Sequence, residues 1–407
     1  MRPIKLAVFL DQQLNAGGGY QQALNAVQLV RQLPKEICIP LFVTTVASNI
    51  AVLRSYGIEA HCLQMPKWRR AMLTLRGFIQ WSPAFRLIRR LFGKNAVEGF
   101  FARHGVDLVY FTSPSGFAQD MESLNFIFTI WDLCHRDAPE FPEVRNDREF
   151  ERREVLYKRA LTKSVAVLVD SEVGKQNVIH RYGVDDARVR VLPFSPAIST
   201  QLTEAEYEAG FIDIKSKYEL DTDYVFYPAQ FWPHKNHIYL LRGLKALEER
   251  SGVRIGAIFA GGDAGANLAH VKKTTQDLGL SERVRFAGFV PNGEIPYLYR
   301  QSVALVMPTY FGPTNLPPLE AFSLGVPVLY PNKHGLREQV NDSALLMDLH
   351  DPVSLADHLE NLVSDESLRN ELISRGKRLI CAESNEKRLD ILAEIIDDYR
   401  DRRACWG

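Results

Sequence analysis

At 407 residues the chain is too long for one ordinary core, so two domains are expected. With 46% apolar and 24% charged residues it has a soluble globular composition. Lys+Arg and Asp+Glu balance at 49 each, so net charge argues for no particular partner, and no nucleic acid is expected. Five scattered cysteines (Cys38, Cys62, Cys134, Cys381, Cys405) form no CxxC pair, which argues against a disulfide framework or a zinc site and suits a reducing cytosol.

The opening MRPIKLAVFLDQQ has too short an apolar run for a signal peptide, and no run of 18 apolar residues occurs. The expected location is the cytoplasm, free or peripheral on the inner face of the plasma membrane. In chain order, Ile4–Leu10 reads as a buried strand, and Tyr20–Leu33 has helical spacing that ends before Pro34. Strands follow at Pro40–Thr45, Asp107–Phe111, Phe126–Ile130, Ser164–Val169 and Val189–Leu192, with a charged helix at Glu149–Leu161.

Between them, Lys67–Arg103 carries nine basic residues against the single acid Glu98, a local net charge of +8, interleaved with Trp68, Phe78, Trp81, Phe85 and Phe92. That is the composition of a segment that lies on an anionic membrane surface. A solvated basic helix face with its apolar side in the core has the same composition.

The polar stretch Pro193–Asp223 breaks the rhythm, and strands then restart at Tyr224–Tyr227, Arg254–Ala260, Val284–Ala287, Val303–Met307, Val326–Tyr330 and Ala344–Met347. Strand–helix alternation of this kind predicts α/β domains with parallel sheets covered on both faces. The expected boundaries are 1–195 for an N-terminal acceptor-binding domain, 196–223 for a linker and 224–384 for a C-terminal domain. A final helix at 385–407 has apolar spacing at Leu389, Leu392 and Ile396. Doubly wound sheets bind ligands beyond the carboxyl ends of their strands, so two such domains facing a central cleft would hold two substrates.

The turns at those strand ends carry the chemistry. Asn15-Ala-Gly-Gly-Gly-Tyr20 follows the first strand. Glycines before a helix let backbone N–H groups approach an anion, although a tight structural turn would look the same. The dinucleotide spacing G-x-G-x-x-G fails after Gly19, and no acid ends the second strand, so a nicotinamide enzyme is disfavoured. Pro228-Ala-Gln-Phe-Trp-Pro-His-Lys-Asn-His237 places Lys235 where a cation can meet a phosphate, with His234, Asn236 and His237 as further donors. Ala260-Gly-Gly-Asp263 is another small-residue turn, and Asn292 is a plausible cap for a helix at Gly293–Gln301. In Gly312-Pro-Thr-Asn-Leu-Pro-Pro-Leu-Glu-Ala321, Thr314 or Asn315 caps a helix and a proline occupies its first turn. Glu320 then falls in the first turn, either to complement the dipole or to accept hydroxyl hydrogen bonds from a ribose. Asp221-Thr-Asp223 has the look of a metal–diphosphate motif, but it precedes a strand and reads as a solvated turn.

Lys235 in its turn, Gly288-Phe-Val, and P-x-L-E-A-x-x-x-G-x-P-V over Pro317–Val328 resemble glycosyltransferase family 4. Gly17–Gly19, Ile130-Trp-Asp-Leu133 and Val169-Asp-Ser-Glu172 fall in the same order. The resemblance implies retaining, nucleotide-sugar-dependent enzymes of GT-B architecture, with two Rossmann-like domains and a last helix that crosses back to the first. It implies that Glu320 binds the nucleotide ribose, that Lys235 meets the diphosphate with His234, Asn236 and Gly262 near it, and that Gly18 and Gly19 line the phosphates. Phe289 and Val290 would contact the base, and the turn Thr314-Asn315-Leu316 the donor sugar.

No metal or other cofactor is expected. The partners are a nucleotide-sugar donor and a glycan or lipid-linked acceptor. Three positions depart from the family pattern. The first glutamate of its Glu-x7-Glu motif is Gly312, so that sugar contact must come from elsewhere, with Thr314 and Asn315 as candidates. The arginine five residues before the lysine is Gln230. The usual His-Asp is Trp131-Asp132, with His135 and Asp137 beyond, so Asp132 and His135 are the candidates for sugar contact. The expected reaction is hexosyl transfer, leaning to mannose, in bacterial surface polysaccharide synthesis. The competing expectation is a degenerate GT-B module that binds a nucleotide or glycan without turnover.

Overall fold

The computed structural model describes residues 2–14, 18–79, 94–263, 266–382 and 385–406, the side chains of 74–79 excepted. Gly17 and residues 80–93 of the expected basic segment, including Trp81, Phe85, Arg86, Arg89, Arg90 and Phe92, lie outside them. The chain divides into two compact units. The first comprises Met1–Leu133, Glu151–Pro193 and Asn385–Gly407, and the second Cys134–Phe150 and Phe194–Ser384.

The first unit is built on a seven-stranded parallel sheet. Its strands are β1 (Ile4–Leu10), β2 (Cys38–Thr44), β3 (Ala60–Cys62), β4 (Leu108–Phe111), β5 (Asn125–Thr129), β6 (Ala166–Val169) and β7 (Val189–Val191), in the order β3-β2-β1-β4-β5-β6-β7. The central strands are apolar at almost every position because helices cover both faces, which is why they stand out as unbroken hydrophobic runs. Phe9, Phe101, Phe111 and Phe126 pack edge to face in this core, with ring centroids 5.4–5.9 Å apart.

Glu98, the one acid of the basic segment, is buried here. Its Oε1 accepts from the backbone N–H groups of Glu122, Ser123 and Leu124 at 2.7–2.9 Å, and its Oε2 from the Ser123 hydroxyl at 2.9 Å. It therefore anchors the turn before β5 and does not offset the basic side chains at the surface.

The helix Asn385–Arg403 belongs to this unit. Leu392, Ile395 and Ile396 are buried, and the Tyr399 hydroxyl donates to the Asp107 carbonyl at 2.9 Å.

The second unit holds a six-stranded parallel sheet. Its strands are β8 (Tyr224–Pro228), β9 (Gly256–Ala260), β10 (Val284–Gly288), β11 (Leu305–Val306), β12 (Val328–Pro331) and β13 (Leu345–Met347), in the order β10-β9-β8-β11-β12-β13. In both sheets the order reverses beside the first strand of the unit, giving the switch point at which doubly wound folds bind ligands.

Residues 196–223, expected as a linker, instead belong to this unit and include the short helices Glu204–Ala209 and Ile214–Lys217. Ile214 is fully buried, and the Ile214 N–H donates to Gln301 at 3.0 Å. Cys134–Phe150, expected inside the first domain, also joins the second unit. The helix at Gly293–Gln301 is shorter than expected, Ile295–Arg300, with Glu294 and not Asn292 at its N-cap position.

Candidate active site

The site of the second unit forms where β8, β9, β10 and β11 end. Beyond β8 the chain makes a single tight turn, Pro233–Lys235, and Asn236 then takes a left-handed conformation (φ 52°, ψ 43°) to start the helix His237–Ser251. Asparagine tolerates that conformation better than most residues. The turn is fastened on several sides. The Tyr227 hydroxyl donates to the Lys235 carbonyl at 2.9 Å, and the Tyr310 N–H donates to the His234 carbonyl at 2.9 Å. Lys235 Nζ donates to Asn315 Oδ1 at 3.3 Å, which joins the lysine turn to the cap of the next helix.

His234 stacks on Phe311 with centroids 3.9 Å apart and planes 12° from parallel, and its backbone N–H donates to Glu143 Oε1 at 3.0 Å. Gln230, where the family pattern has arginine, accepts from the Trp232 indole N–H at 2.9 Å and adds no charge.

His237 was expected as a donor and is not one. It is fully buried and stacked on Phe231 at 4.5 Å, and burial pushes its ring down to about 3, so it stays neutral as a core aromatic.

At the β9 end, Gly261 is the glycine that sterics demand. A Cβ there would lie 2.2 Å from the Ala229 carbonyl oxygen, and the Gly261 N–H donates to the Gly288 carbonyl at 2.8 Å. Gly262, the residue singled out from the sequence, faces open space on its Cβ side, and its carbonyl accepts from the Phe231 N–H at 3.1 Å. Gly261→Ala is therefore expected to cost about 2–4 kcal/mol in urea denaturation, and Gly262→Ala within about 0.5 kcal/mol of zero. Equal costs would contradict this reading of the strand ends. At the β10 end Phe289 is 68% exposed, while Val290 turns into the core.

The helix Leu316–Leu324 begins at Asn315, with Pro317 and Pro318 inside its first turn, where missing N–H groups cost nothing. Asn315 is the hub of this turn. Its Nδ2 donates to the Gly312 carbonyl (2.9 Å) and to the Tyr330 hydroxyl (2.6 Å), and its backbone N–H donates to Gln339 Oε1 (3.0 Å). Thr314 is half-buried beside it. Gly312 has φ 110°, and a Cβ there would lie 3.0 Å from the Asn315 side chain. A glutamate at that position would be strained by the backbone and would have to displace the Asn315 side chain by a few tenths of an ångström.

Glu320 is the fifth residue of the helix, just past the first turn in which it was expected. It is buried, and its Oε2 accepts from the Tyr299 hydroxyl at 2.8 Å. Burial pushes its carboxyl up to about 7, with the Tyr299 hydrogen bond opposing. Tyr299 is in turn packed edge to face on Phe226 at 4.9 Å. Tyr299, Glu143 and Gln339 are the site residues that sequence reasoning missed, because each acts through a partner at least 21 positions away.

The first unit places its own candidates at the ends of β1, β4 and β5. The Gly19 Cα is overlain by Trp131, so that a Cβ would meet the indole at 2.7 Å, and Gln12 Nε2 donates to the Gly19 carbonyl at 2.5 Å. Gly18 opens the helix Gly18–Arg31. Asp132 is ion-paired with Arg153 at 2.7 Å. Asp11, not anticipated, accepts from the Ser115 and Ser113 hydroxyls at 2.7 and 3.2 Å, and burial pushes its carboxyl up. His135 belongs to the second unit and is fully buried, edge-on to Phe150.

Comparison with known proteins agrees with this geometry. Residues 211–379 match the family described as glycosyl transferases group 1. The chain is 26% identical over 257 residues to O-antigen chain mannosyltransferase B of Escherichia coli, covering 61% of this chain and 64% of that one. It is 28% identical over 244 residues to D-inositol 3-phosphate glycosyltransferase of Salinispora tropica, covering 56% and 50%. The chain thus spans between half and two thirds of the length of these curated relatives. Among solved structures, Anabaena Alr3699/HepE in complex with UDP-glucose superposes with a TM-score of 0.70 at 15% identity, over 99% of this chain and 100% of the other. Residues 211–379 are thus similar to the glycosyl transferases group 1 family, and the whole chain shares the GT-B fold of the solved glycosyltransferases.

Proposed function

We propose that the chain is a retaining hexosyltransferase that moves a sugar from a nucleoside-diphosphate sugar to a hydroxyl of a glycan or lipid-linked acceptor. The observation that carries this reading is the link between the Lys235 turn and the Asn315 cap, one helix turn before a buried Glu320 held by Tyr299. Lys235 and the N–H groups at helix starts would take up negative charge on the departing diphosphate, a preorganised electrostatic role that needs no metal. Glu320 would accept hydrogen bonds from the ribose hydroxyls. Same-face attack, with the leaving phosphate as base, would preserve the anomeric configuration.

Mannose is favoured among sugars by the similarity to two Escherichia coli mannosyltransferases, the O-antigen chain enzyme and a serotype-specific one, and the first also supports a place in surface polysaccharide synthesis. The test is release of nucleoside diphosphate from GDP-mannose, UDP-glucose, ADP-glucose and dTDP-rhamnose by purified protein. Turnover of one supports the transferase. Tight binding without turnover of any supports the degenerate module, which the loss of charge at positions 230 and 312 motivates.

Among the described residues no helix is long and apolar enough to cross a membrane. On the helix Lys67–Ile79, Trp68 and Met72 are 59% and 61% exposed beside Lys67, Arg69 and Arg70, and this supports docking on an anionic lipid surface. Binding to phosphatidylglycerol vesicles is expected at about 20 mM salt and release at about 500 mM, because the Debye length shrinks severalfold between them. Indifference to vesicles at low salt would refute the docking.

A further inference from the structure

The segment Cys134–Phe150 falls among first-unit strands in sequence but packs within the second unit. Its short helix Pro142–Arg145 delivers Glu143 to the lysine turn, where Oε1 accepts the His234 backbone N–H and also meets His234 Nδ1. The preceding Phe141 packs on Tyr310 and Phe311 with centroids 5.3 and 5.5 Å apart. Phe141 and Glu143 together therefore touch both the loop that leads into Gly312 and the turn that bears Lys235.

Its side chain is only 7% exposed. Its second oxygen, Oε2, is buried with no hydrogen-bond partner among the described residues. Burial opposes ionisation, yet the His234 ring and backbone N–H together hold the carboxyl below its usual range. The group is thus an anionic acceptor with one oxygen unsatisfied, and a buried orphan of this kind calls for an O–H or N–H donor. A diphosphate has no such donor at neutral pH and carries like charge. A sugar hydroxyl is a neutral donor of the right chemistry.

We propose that Glu143 Oε2 accepts a hydrogen bond from a hydroxyl of the donor hexose, which makes Glu143 the carboxylate of the sugar subsite. This rests on the nucleotide-sugar reading above. The position where the family motif would put that carboxylate is Gly312, which has no side chain and whose backbone conformation and closeness to Asn315 disfavour one. The strap supplies it from a different part of the chain, which explains how the motif glutamate can be absent while the rest of the site is kept.

The test is calorimetric titration of the full chain with GDP and GDP-mannose, and with UDP and UDP-glucose, for wild type, E143Q and E143D. Removing a charged acceptor should weaken the nucleotide-sugar roughly tenfold while leaving the matching nucleotide within about twofold. E143D keeps the charge but withdraws it by one methylene, so it should show the same selective loss if E143Q does not fold. An equal loss for nucleotide and nucleotide-sugar would mean that Glu143 only fastens the His234 turn, and would overturn the assignment. An unchanged nucleotide-sugar affinity would overturn it as well. Failure of wild type to bind any of the four probes would instead remove the donor reading on which the assignment rests.

Discussion

Lys235→Met is expected to lower kcat/KM by about 10²–10³, the usual loss when one preorganised donor to a developing charge is removed. Lys235 is suited to that role because its backbone and its ammonium are both fixed, by Tyr227 and by Asn315. The substitution should spare nucleoside binding, which involves no phosphate, and weaken nucleoside diphosphate binding. Lys235→Arg should restore little, because a planar fork does not fit where a compact ammonium sits within reach of Asn315. Steady-state kinetics with the preferred donor, alongside nucleoside and diphosphate titrations, read these effects. A loss of less than about tenfold in kcat/KM would place the charge stabilisation elsewhere.

Glu320→Gln should stabilise the ligand-free protein at pH 8 while weakening nucleotide binding. The folded carboxyl, raised by burial to about 7, holds its proton to a higher pH than the unfolded one at 4.5. Its contribution to stability is therefore complete below about pH 4.5 and is lost as pH rises through about 7. The gap corresponds to about 3 kcal/mol at pH 8, which a neutral glutamine does not lose. Urea denaturation should show the two proteins alike near pH 4.5 and the variant more stable at pH 8.

On the proposed role, ribose hydroxyls would donate to the ionised form, so wild-type nucleotide affinity should fall as pH drops below about 7, and the variant should lack that dependence. An unfavourable charge kept in a buried position is the kind of stability cost that functional sites carry. A variant less stable than wild type at pH 8 would mean that Glu320 is structural.

Both sheets were legible because their central strands are buried on two faces and read as continuous apolar runs. β3, Ala60–Cys62, was not, since three half-exposed residues at a sheet edge leave no period to detect. The helix from Asn315 and the glutamate within it were legible from proline and glycine punctuation. Placing Glu320 in the first turn failed because Leu316, not a proline, is the first helical residue.

His237 shows the opposite error. Next to Lys235 in sequence it looks like a donor, but a residue at the head of a helix can as easily point inward, and this one fills an aromatic core. The partners of the site, Tyr299 for Glu320 and Glu143 for His234, carry no local signal at all. They are brought in by the fold, Glu143 through a strap whose place in the second unit nothing in chain order reveals.

The central claim is that Glu320 and the Lys235 turn bind a nucleoside diphosphate. A thermal-shift panel of GDP, UDP, ADP and dTDP on wild type and Glu320→Ala tests it most directly, since a ligand at 100 times its Kd adds about 2.7 kcal/mol of stability. The account predicts stabilisation by one nucleotide that is lost in the variant. No stabilisation of wild type by any of the four, or an equal shift in the variant, would contradict it.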